Sequence, residues 1–243
     1  MKKQMHLAAQ YLAAAGISFV TKKEDDSHTN LGFDVPNGFM YTHPLSEAGD
    51  RLTLNYSTFS IDWISGKEKT IFSLNGKSHK EVVAWVSETA NAKLGKPYIY
   101  DFHYELPYSI DDHFVYKLDA LELKRLLQLR LVSQIALQQV VDEQKIVSDV
   151  RVWPHHFDTG AFHASGISIG FGMAPPDSLS ENHYLYVSGY KGHDAVDVSN
   201  FAPLTLGKWK NDEFKGAILS ANKLSIEETK HFFIQAIGHY KEI

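Results

Sequence analysis

The stretch IFSLNGKSHKE (Ile71–Glu81) decides how we divide the chain, because it has a second copy, ILSANKLSIEE (Ile218–Glu228). The two segments align without gaps and are identical at five positions. Each contains an apolar run typical of a strand, and then a serine followed three residues later by a glutamate. This spacing predicts a capping box at the start of a helix, as at Ser78 and Glu81. The sequence therefore predicts the same strand-turn-helix unit twice.

Several strand-like runs, bounded by turn residues, lie upstream of the helix start in each copy. The predicted strands are Thr29–Asp34, Arg51–Tyr56, Phe59–Trp63 and Thr70–Leu74 in the first half, and Asp149–Trp153, Ile167–Met173, Tyr184–Gly189 and Phe214–Leu219 in the second. A helix is predicted to open each half, one ending at Gly16 and a long leucine-rich one running from Asp119 to about Gln144.

This order of elements predicts an α+β fold. We expect two related halves, residues 1–115 and 116–243, each ordered helix, antiparallel strands, helix. The leucine-rich helix would lie between the halves, which we expect to pack together as one compact unit.

The composition of the 243 residues limits the classes of protein that fit. The net charge of −5 leaves no basic surplus to neutralise phosphates, so we predict no nucleic-acid partner. No apolar run is long enough to cross a membrane, and polar residues interrupt MKKQMHLAAQYLAAAG, which we interpret as an amphipathic helix and not as a signal peptide. We therefore expect a cytoplasmic protein with no membrane partner. Because cysteine is absent, any metal site must use His, Asp and Glu.

The stretch WPHHFDTGAFHASG, which begins at Trp153, contains three histidines and one aspartate. If Thr159-Gly160 is a two-residue hairpin turn, His156 lies opposite His163. Asp158 then shares their face, because side chains alternate along a strand. Two imidazoles and a carboxylate would converge in a three-ligand arrangement that suits zinc or iron.

Two alternatives to this metal site remain open. Pro154 fits best at the end of a strand, which would make His155–Gly166 a loop whose histidines need not converge. In the second alternative, Asp158 caps the turn backbone while the histidines form local hydrogen bonds. His183, which precedes an aromatic strand, joins the candidate ligands if that strand neighbours this segment.

A second polar stretch is YIYDFHYELPY, Tyr98–Tyr108. Alternation in a strand would place Asp101, His103 and Glu105 on one face, where the carboxylates could orient and charge the imidazole for acid/base work. The candidate catalytic residues are therefore His103 and Glu105, together with Asp158. The alternative interpretation is that this stripe is the solvated face of an edge strand.

Three further features of the sequence carry a resemblance to a known family of domains. Phe157-Asp158 is followed by Ala174-Pro175-Pro176, the segment FSLNGKSHKEVVAWVSETANAKLG is followed by a predicted strand containing Glu105, and His183 precedes an aromatic strand that ends in glycine. In these features the chain resembles an uncharacterised bacterial family of domains of unknown function, from about Thr29 onward. The resemblance supports the α+β architecture and implies no reaction, since no activity is established for the family.

The primary expectation for function is a protein that binds a small ligand in a cleft between its two halves. The first alternative is a metal-dependent enzyme, hydrolase-like, in which zinc, iron or manganese is held by His156, Asp158, His163 and His183 and activates a water molecule. The second alternative is a scaffold for partner proteins that uses the leucine-rich helix.

Overall fold

The computed structural model describes residues 1–107 and 111–243. Within them the chain forms two compact units, the first built from residues 1–127 and 152–157, the second from residues 128–151 and 158–243. This division falls at Leu127, inside a helix, whereas the sequence predicted a boundary between residues 115 and 116. None of the helices in the described ranges has the length and apolar character that a membrane crossing requires.

The first unit contains two helices and an antiparallel sheet. Its elements are α1 (Lys2–Phe19), β1 (Gly32–Asp34), β2 (Phe39–Tyr41), β3 (Arg51–Asn55), β4 (Ser60–Ser65), β5 (Glu68–Ser73) and α2 (His79–Leu94). The five strands are neighbours in chain order, each antiparallel to the next. The short strand β2 was not among the predicted strands.

Helix α1 is the buried centre of the first unit. Every residue from Met5 to Gly16 is buried, so the helix has no solvated face and the amphipathic prediction was wrong. The helix also continues past Gly16, where the sequence predicted its end. A Cβ atom there would lie 2.7 Å from the carbonyl oxygen of His28, so the glycine serves the close approach of the turn Ser27–Thr29.

The second unit contains most of helix α3, a second antiparallel sheet and a final helix. The elements from α3 onward are α3 (Ala120–Glu143), β6 (Arg151–Trp153), β7 (Asp158–Ser165), β8 (Ile167–Ala174), β9 (Tyr184–Lys191), β10 (Asp194–Ala195), β11 (Lys208–Asn211), β12 (Lys215–Ser220) and α4 (Ile226–Lys241). Of these, Val152 and Trp153 of β6 belong to the first unit. In this sheet β11, β12, β9, β8 and β7 are successive neighbours, and β10 pairs with β9. Helix α4 packs on β8 and β9, where Phe233 meets Phe171 with ring centroids 5.9 Å apart.

Helices and two antiparallel sheets confirm the α+β prediction. Both predicted capping boxes are also present. The Ser78 hydroxyl accepts from the Glu81 amide and the Glu81 carboxylate accepts from the Ser78 amide, and Ser225 and Glu228 do the same at the start of α4. The hydrogen bond from the Ser78 amide, and then the one from the Lys77 side chain, lower the pKa of Glu81 to about 2. That the two halves are related stays a prediction.

The register of β7, β8 and β9 assigns side chains to the two faces of the second sheet. His163 pairs with Ile169, which pairs with Gly189, so these three positions share one face. Phe171 belongs to the same face, because it lies two residues from Ile169, and this is the face that α4 covers. The opposite face carries Gly160, Gly172, which pairs with Gly160, and Tyr186, which pairs with Gly172.

Candidate functional site

The histidine-rich stretch turns earlier than predicted. The Phe157 amide donates to the carbonyl oxygen of Trp153 over 2.7 Å, and Phe157 adopts a left-handed backbone with a φ of 62°. The predicted turn at Thr159-Gly160 is wrong, because both residues lie inside β7 and pair with Met173 and Gly172. The alternative loop over residues 155–166 is wrong as well, since β7 occupies residues 158–165.

The Trp153–Phe157 turn is held in the first unit by buried hydrogen bonds. The carbonyl oxygen of Pro154 accepts from His6 Nε2 over 2.7 Å and from Gln10 Nε2 over 2.8 Å. The side-chain oxygen of Gln10 accepts in turn from the Tyr104 hydroxyl over 2.7 Å. These contacts give this part of the stretch a structural role, because they satisfy a turn carbonyl that would otherwise be buried without a partner.

The structure does not bring the predicted metal ligands together. His156 lies in the turn of the first unit, next to His155 with ring centroids 4.3 Å apart. Asp158 and His163 are five residues apart on β7, roughly 16 Å along an extended strand, and they lie on opposite faces. His183 is buried directly before β9. Among the described residues there is no group of three or more His, Cys, Asp or Glu that could hold a metal ion.

Asp158 forms a hydrogen-bonded pair with a tyrosine on the glycine-rich face of the second sheet. The Tyr186 hydroxyl donates to Asp158 Oδ2 over 2.7 Å. Burial, and then the negative charge of Asp158, raise the pKa of Tyr186 well above its usual value, so this tyrosine is a neutral donor. Gly160 and Gly172 give the hydroxyl room, because a Cβ atom on either would lie within 3.0 Å of it.

Asp101, His103 and Glu105, the predicted acid/base residues, are exposed as expected, but they do not lie on a strand and the carboxylates do not contact the imidazole. Residues 98–107 alternate between more buried and exposed positions without pairing into a sheet, and Tyr108 lies outside the described residues. His103 Nε2 lies 3.0 Å from Asp26 Oδ2, and Asp101 caps the amide of Phe102. Glu105 is exposed. The predicted Asp-His-Glu arrangement is therefore not formed.

A cavity of about 420 Å³ opens in the second unit at the end of the β7–β8 hairpin, and we call it the His163 cavity. Its polar lining consists of His163, Ser165, Lys191, Tyr240 and Lys241. Its apolar lining includes Ile167 and Ile169, which are 7 % and 1 % exposed, whereas Lys191 and Lys241 are exposed. The cavity therefore has a buried apolar floor and a basic, exposed rim.

The residues that line the His163 cavity are brought together by the register of three strands and by the close approach of Tyr240 to Gly189. His163, Ile169 and Lys191 come from three neighbouring strands on the face that α4 covers. Tyr240, near the end of α4, lies flat against Gly189 of β9. A Cβ atom at Gly189 would fall 2.4 Å from Cδ1 of the tyrosine ring, so only glycine allows this approach.

Tyr240 is only 1 % exposed, and its buried hydroxyl forms no well-aligned hydrogen bond with a described residue. Burial raises its pKa, so the group is a neutral phenol able to donate and to accept. The Gly189 backbone lies beside this hydroxyl and offsets part of the rise in its pKa. Burial, and then the charge of Lys241, lower the pKa of His163, whose Nε2 lies 2.9 Å from the Ser165 hydroxyl. At neutral pH the imidazole is uncharged, so the charge in the cavity comes from the two lysines.

The first unit contains a second group of buried hydroxyls, around His79. The Tyr116 hydroxyl donates to the Tyr11 hydroxyl over 3.0 Å, and Tyr11 lies 2.7 Å from His79 Nδ1. Burial lowers the pKa of His79, so the ring is neutral and its Nδ1 can accept a hydrogen bond from the Tyr11 hydroxyl. The Tyr100 hydroxyl is also buried without a partner in the described ranges.

No family model, curated protein or solved structure matches the chain. The resemblance to a family of domains of unknown function therefore stays a prediction. Function must be argued from the geometry of the two units.

Sequence reasoning selected His163 but missed Lys191, Tyr240 and Lys241. Tyr240 follows the apolar residues Phe233 and Ile237 at helical spacing, which is a signal for the buried face of α4 and not for a ligand site. What makes it a candidate is the environment of its buried hydroxyl, a property that no sequence pattern reports.

Proposed function

We propose that this protein binds a small organic molecule in the His163 cavity. The observation that carries the proposal is Tyr240, a buried residue of the cavity lining whose hydroxyl lies beside the Gly189 backbone and forms no well-aligned hydrogen bond with a described residue. Proteins pair the great majority of their buried polar groups. Leaving one unpaired costs about 1–3 kcal/mol, whereas phenylalanine would avoid that cost. A hydrogen bond from a ligand atom to this hydroxyl would offset that cost and account for tyrosine at this position.

The size and lining of the cavity support the same proposal. Ligand pockets are commonly about 300–1,000 Å³ and combine apolar walls with a few polar groups. The His163 cavity, at about 420 Å³, has two buried isoleucines in its lining and several hydrogen-bonding groups. This proposal replaces the predicted cleft between the halves as the place where the ligand binds.

The geometry bears differently on the other hypotheses drawn from the sequence. The metal-dependent enzyme loses its geometric basis, because Asp158 and His163 point to opposite faces of β7 and Asp158 accepts from Tyr186. The scaffold role of the leucine-rich helix stays a hypothesis that no contact described here favours. We keep two related halves as a proposal, supported by the paired capping boxes. A cytoplasmic location likewise stays a proposal.

Replacing Tyr240 by phenylalanine tests the proposal, because a site residue and a structural residue respond differently. We expect Tyr240→Phe to raise the free energy of unfolding by about 1 kcal/mol, since it removes an unpaired buried hydroxyl. The matched control Tyr186→Phe removes a hydroxyl bonded to Asp158 and is expected to lower it by about 1.5 kcal/mol. Urea unfolding followed by circular dichroism measures both.

The same variant is expected to weaken binding. Saturation-transfer NMR with a mixture of phenol, hexan-1-ol, hexanoate and hexylamine would identify which probe contacts the wild-type protein. The probe signal should fall in Tyr240→Phe and persist in Tyr186→Phe. A Tyr240→Phe protein that is less stable than wild type, with unchanged probe contacts, would show that the hydroxyl is structural and would remove the basis of the proposal.

A further inference from the structure

We propose that the ligand of the His163 cavity is a carboxylic acid with an apolar body, its carboxylate held by Lys191 and Lys241. This inference rests on the proposed function and names the chemical class of the ligand. It depends on two observations: Lys191 and Lys241 form no ion pair in the described ranges, and Ile167 and Ile169 are buried apolar residues of the cavity lining.

The two lysines keep their charge available for a ligand. Within the part of the chain that the structure describes, neither forms an ion pair, and Lys241 Nζ donates to the neutral side chain of Gln144 over 3.0 Å. By contrast, Lys230 on the same helix α4 is paired with Glu143 at 2.8 Å. The lining of the His163 cavity therefore contains two lysines that form no ion pair with a described carboxylate, including the terminal carboxyl group of Ile243, which belongs to the same lining.

The nearby acidic residues do not neutralise these lysines. Asp194 stands opposite Lys191 in the β9–β10 ladder, and Glu242 follows Lys241, but both carboxylates are exposed and neither forms an ion pair with a lysine of the cavity in the described ranges. An anion between the two lysines gains the attraction of both.

The Tyr240 hydroxyl and the isoleucine floor distinguish a carboxylic acid from a simple inorganic anion. The phenol can donate to a carboxylate oxygen, which accepts in more than one direction. Next to the phenol, Ile167 and Ile169 are the buried apolar surface that a hydrocarbon group would cover. Inorganic phosphate would satisfy the charges and leave this surface in contact with water.

A series of probes of equal length tests the class directly. Calorimetric titration of the wild-type protein should give hexanoate an affinity at least tenfold above that of hexan-1-ol, with no binding of hexylamine. Affinity should rise about threefold per methylene from butyrate to hexanoate, as burial of hydrocarbon predicts. The hexanoate affinity should fall as salt is added, because the charges at the rim are exposed.

The variant Lys191→Met removes one charge and keeps the length of the side chain. We expect it to lower the hexanoate affinity about tenfold and to leave the hexan-1-ol affinity unchanged. Lys230→Met, which removes a lysine of α4 outside the cavity, should leave both affinities unchanged. Circular dichroism would establish that each variant is folded, as expected because Lys191 is exposed and Lys230 is only half-buried.

The outcomes separate this inference from the proposed function. Equal affinities for hexanoate and hexan-1-ol, unaffected by Lys191→Met but lost in Tyr240→Phe, would overturn the carboxylic acid and leave the ligand site standing. Phosphate that binds as tightly as hexanoate would likewise overturn the apolar body. Failure of every probe to bind would overturn both.

Discussion

Replacing Gly172 by alanine is expected to lower the free energy of unfolding by about 3 kcal/mol, the upper end of the usual cost of overpacking. A Cβ atom at Gly172 would lie 2.2 Å from the carbonyl oxygen of Thr159, 2.9 Å from Cα of Gly160 and 2.9 Å from the Tyr186 hydroxyl. Two of these contacts are backbone atoms of the adjoining strand β7, which can move only if the ladder opens. Urea unfolding of the variant measures the loss.

Gly170→Ala is the matched control for this prediction, because Gly170 lies on the same strand and the same face. A Cβ atom there would meet only the Ser188 hydroxyl at 3.8 Å, which is an ordinary contact. We expect its free energy of unfolding to stay within about 0.5 kcal/mol of wild type, as for a substitution with no clash. An equal loss of the free energy of unfolding in the two variants would mean that Gly172 does not pack closely against Thr159, Gly160 and the Tyr186 hydroxyl.

Replacing Gln10 by leucine is expected to lower the free energy of unfolding by about 2–3 kcal/mol, because it removes several buried hydrogen bonds at once. The Gln10 amide donates to the carbonyl oxygens of Pro154 and His6, and its oxygen accepts from the Tyr104 hydroxyl. Leucine fills part of the space and leaves the Tyr104 hydroxyl without this acceptor. Loss of the Trp153–Phe157 turn should accompany the loss of stability.

The comparison variant is Gln139→Leu, an exposed glutamine of helix α3 that undergoes the same change of side chain. Its effect should stay within about 0.5 kcal/mol, as for most surface positions. Tryptophan fluorescence, which includes the signal of Trp153, and urea unfolding measure both variants. A Gln10→Leu protein as stable as the control would show that the turn is not held by α1.

The elements with strong local signals were predicted from the sequence. The capping boxes at Ser78 and Ser225 are present because a serine and a glutamate at this spacing satisfy two helix amides without help from the rest of the fold. Strands β8 and β9 were predicted within about two residues, a usual error for element ends. The alternating exposure of residues 98–107 was also predicted, although the sheet pairing was not.

Strand β7 was missed because its sequence lacks a strand signal of its own. Gly160 is present to make room for the hydroxyl of Tyr186, and His163 lies at the mouth of a cavity. Polar and small residues placed for such tertiary reasons resemble a loop when they are considered alone. The prediction therefore placed the turn at Thr159-Gly160, which put Asp158 and His163 on one face. In the structure both residues lie on β7, whose register puts them on opposite faces.

The candidate site could not be predicted for a related reason. His163, Lys191 and Tyr240 are far apart in the sequence and meet only through the register of β7, β8 and β9 and the approach of α4 to Gly189. The number of histidines attracted attention to the Trp153–Gly166 stretch, but only His163 among them lines the cavity. Its neighbours in the site are lysines and a tyrosine, not metal ligands.

The most direct test of the ligand site is the pKa of His163 with and without hexanoate, followed by the Cε1–H signal in NMR and assigned with His163→Gln. Burial and the charge of Lys241 lower this pKa in the free protein. A bound carboxylate offsets the lysine charge and stabilises the imidazolium, so we predict that saturating hexanoate raises the pKa of His163. By linkage, hexanoate should then bind more tightly as the pH falls through that range. An unchanged pKa at saturation would contradict the account, because the anion would be bound somewhere other than the His163 cavity.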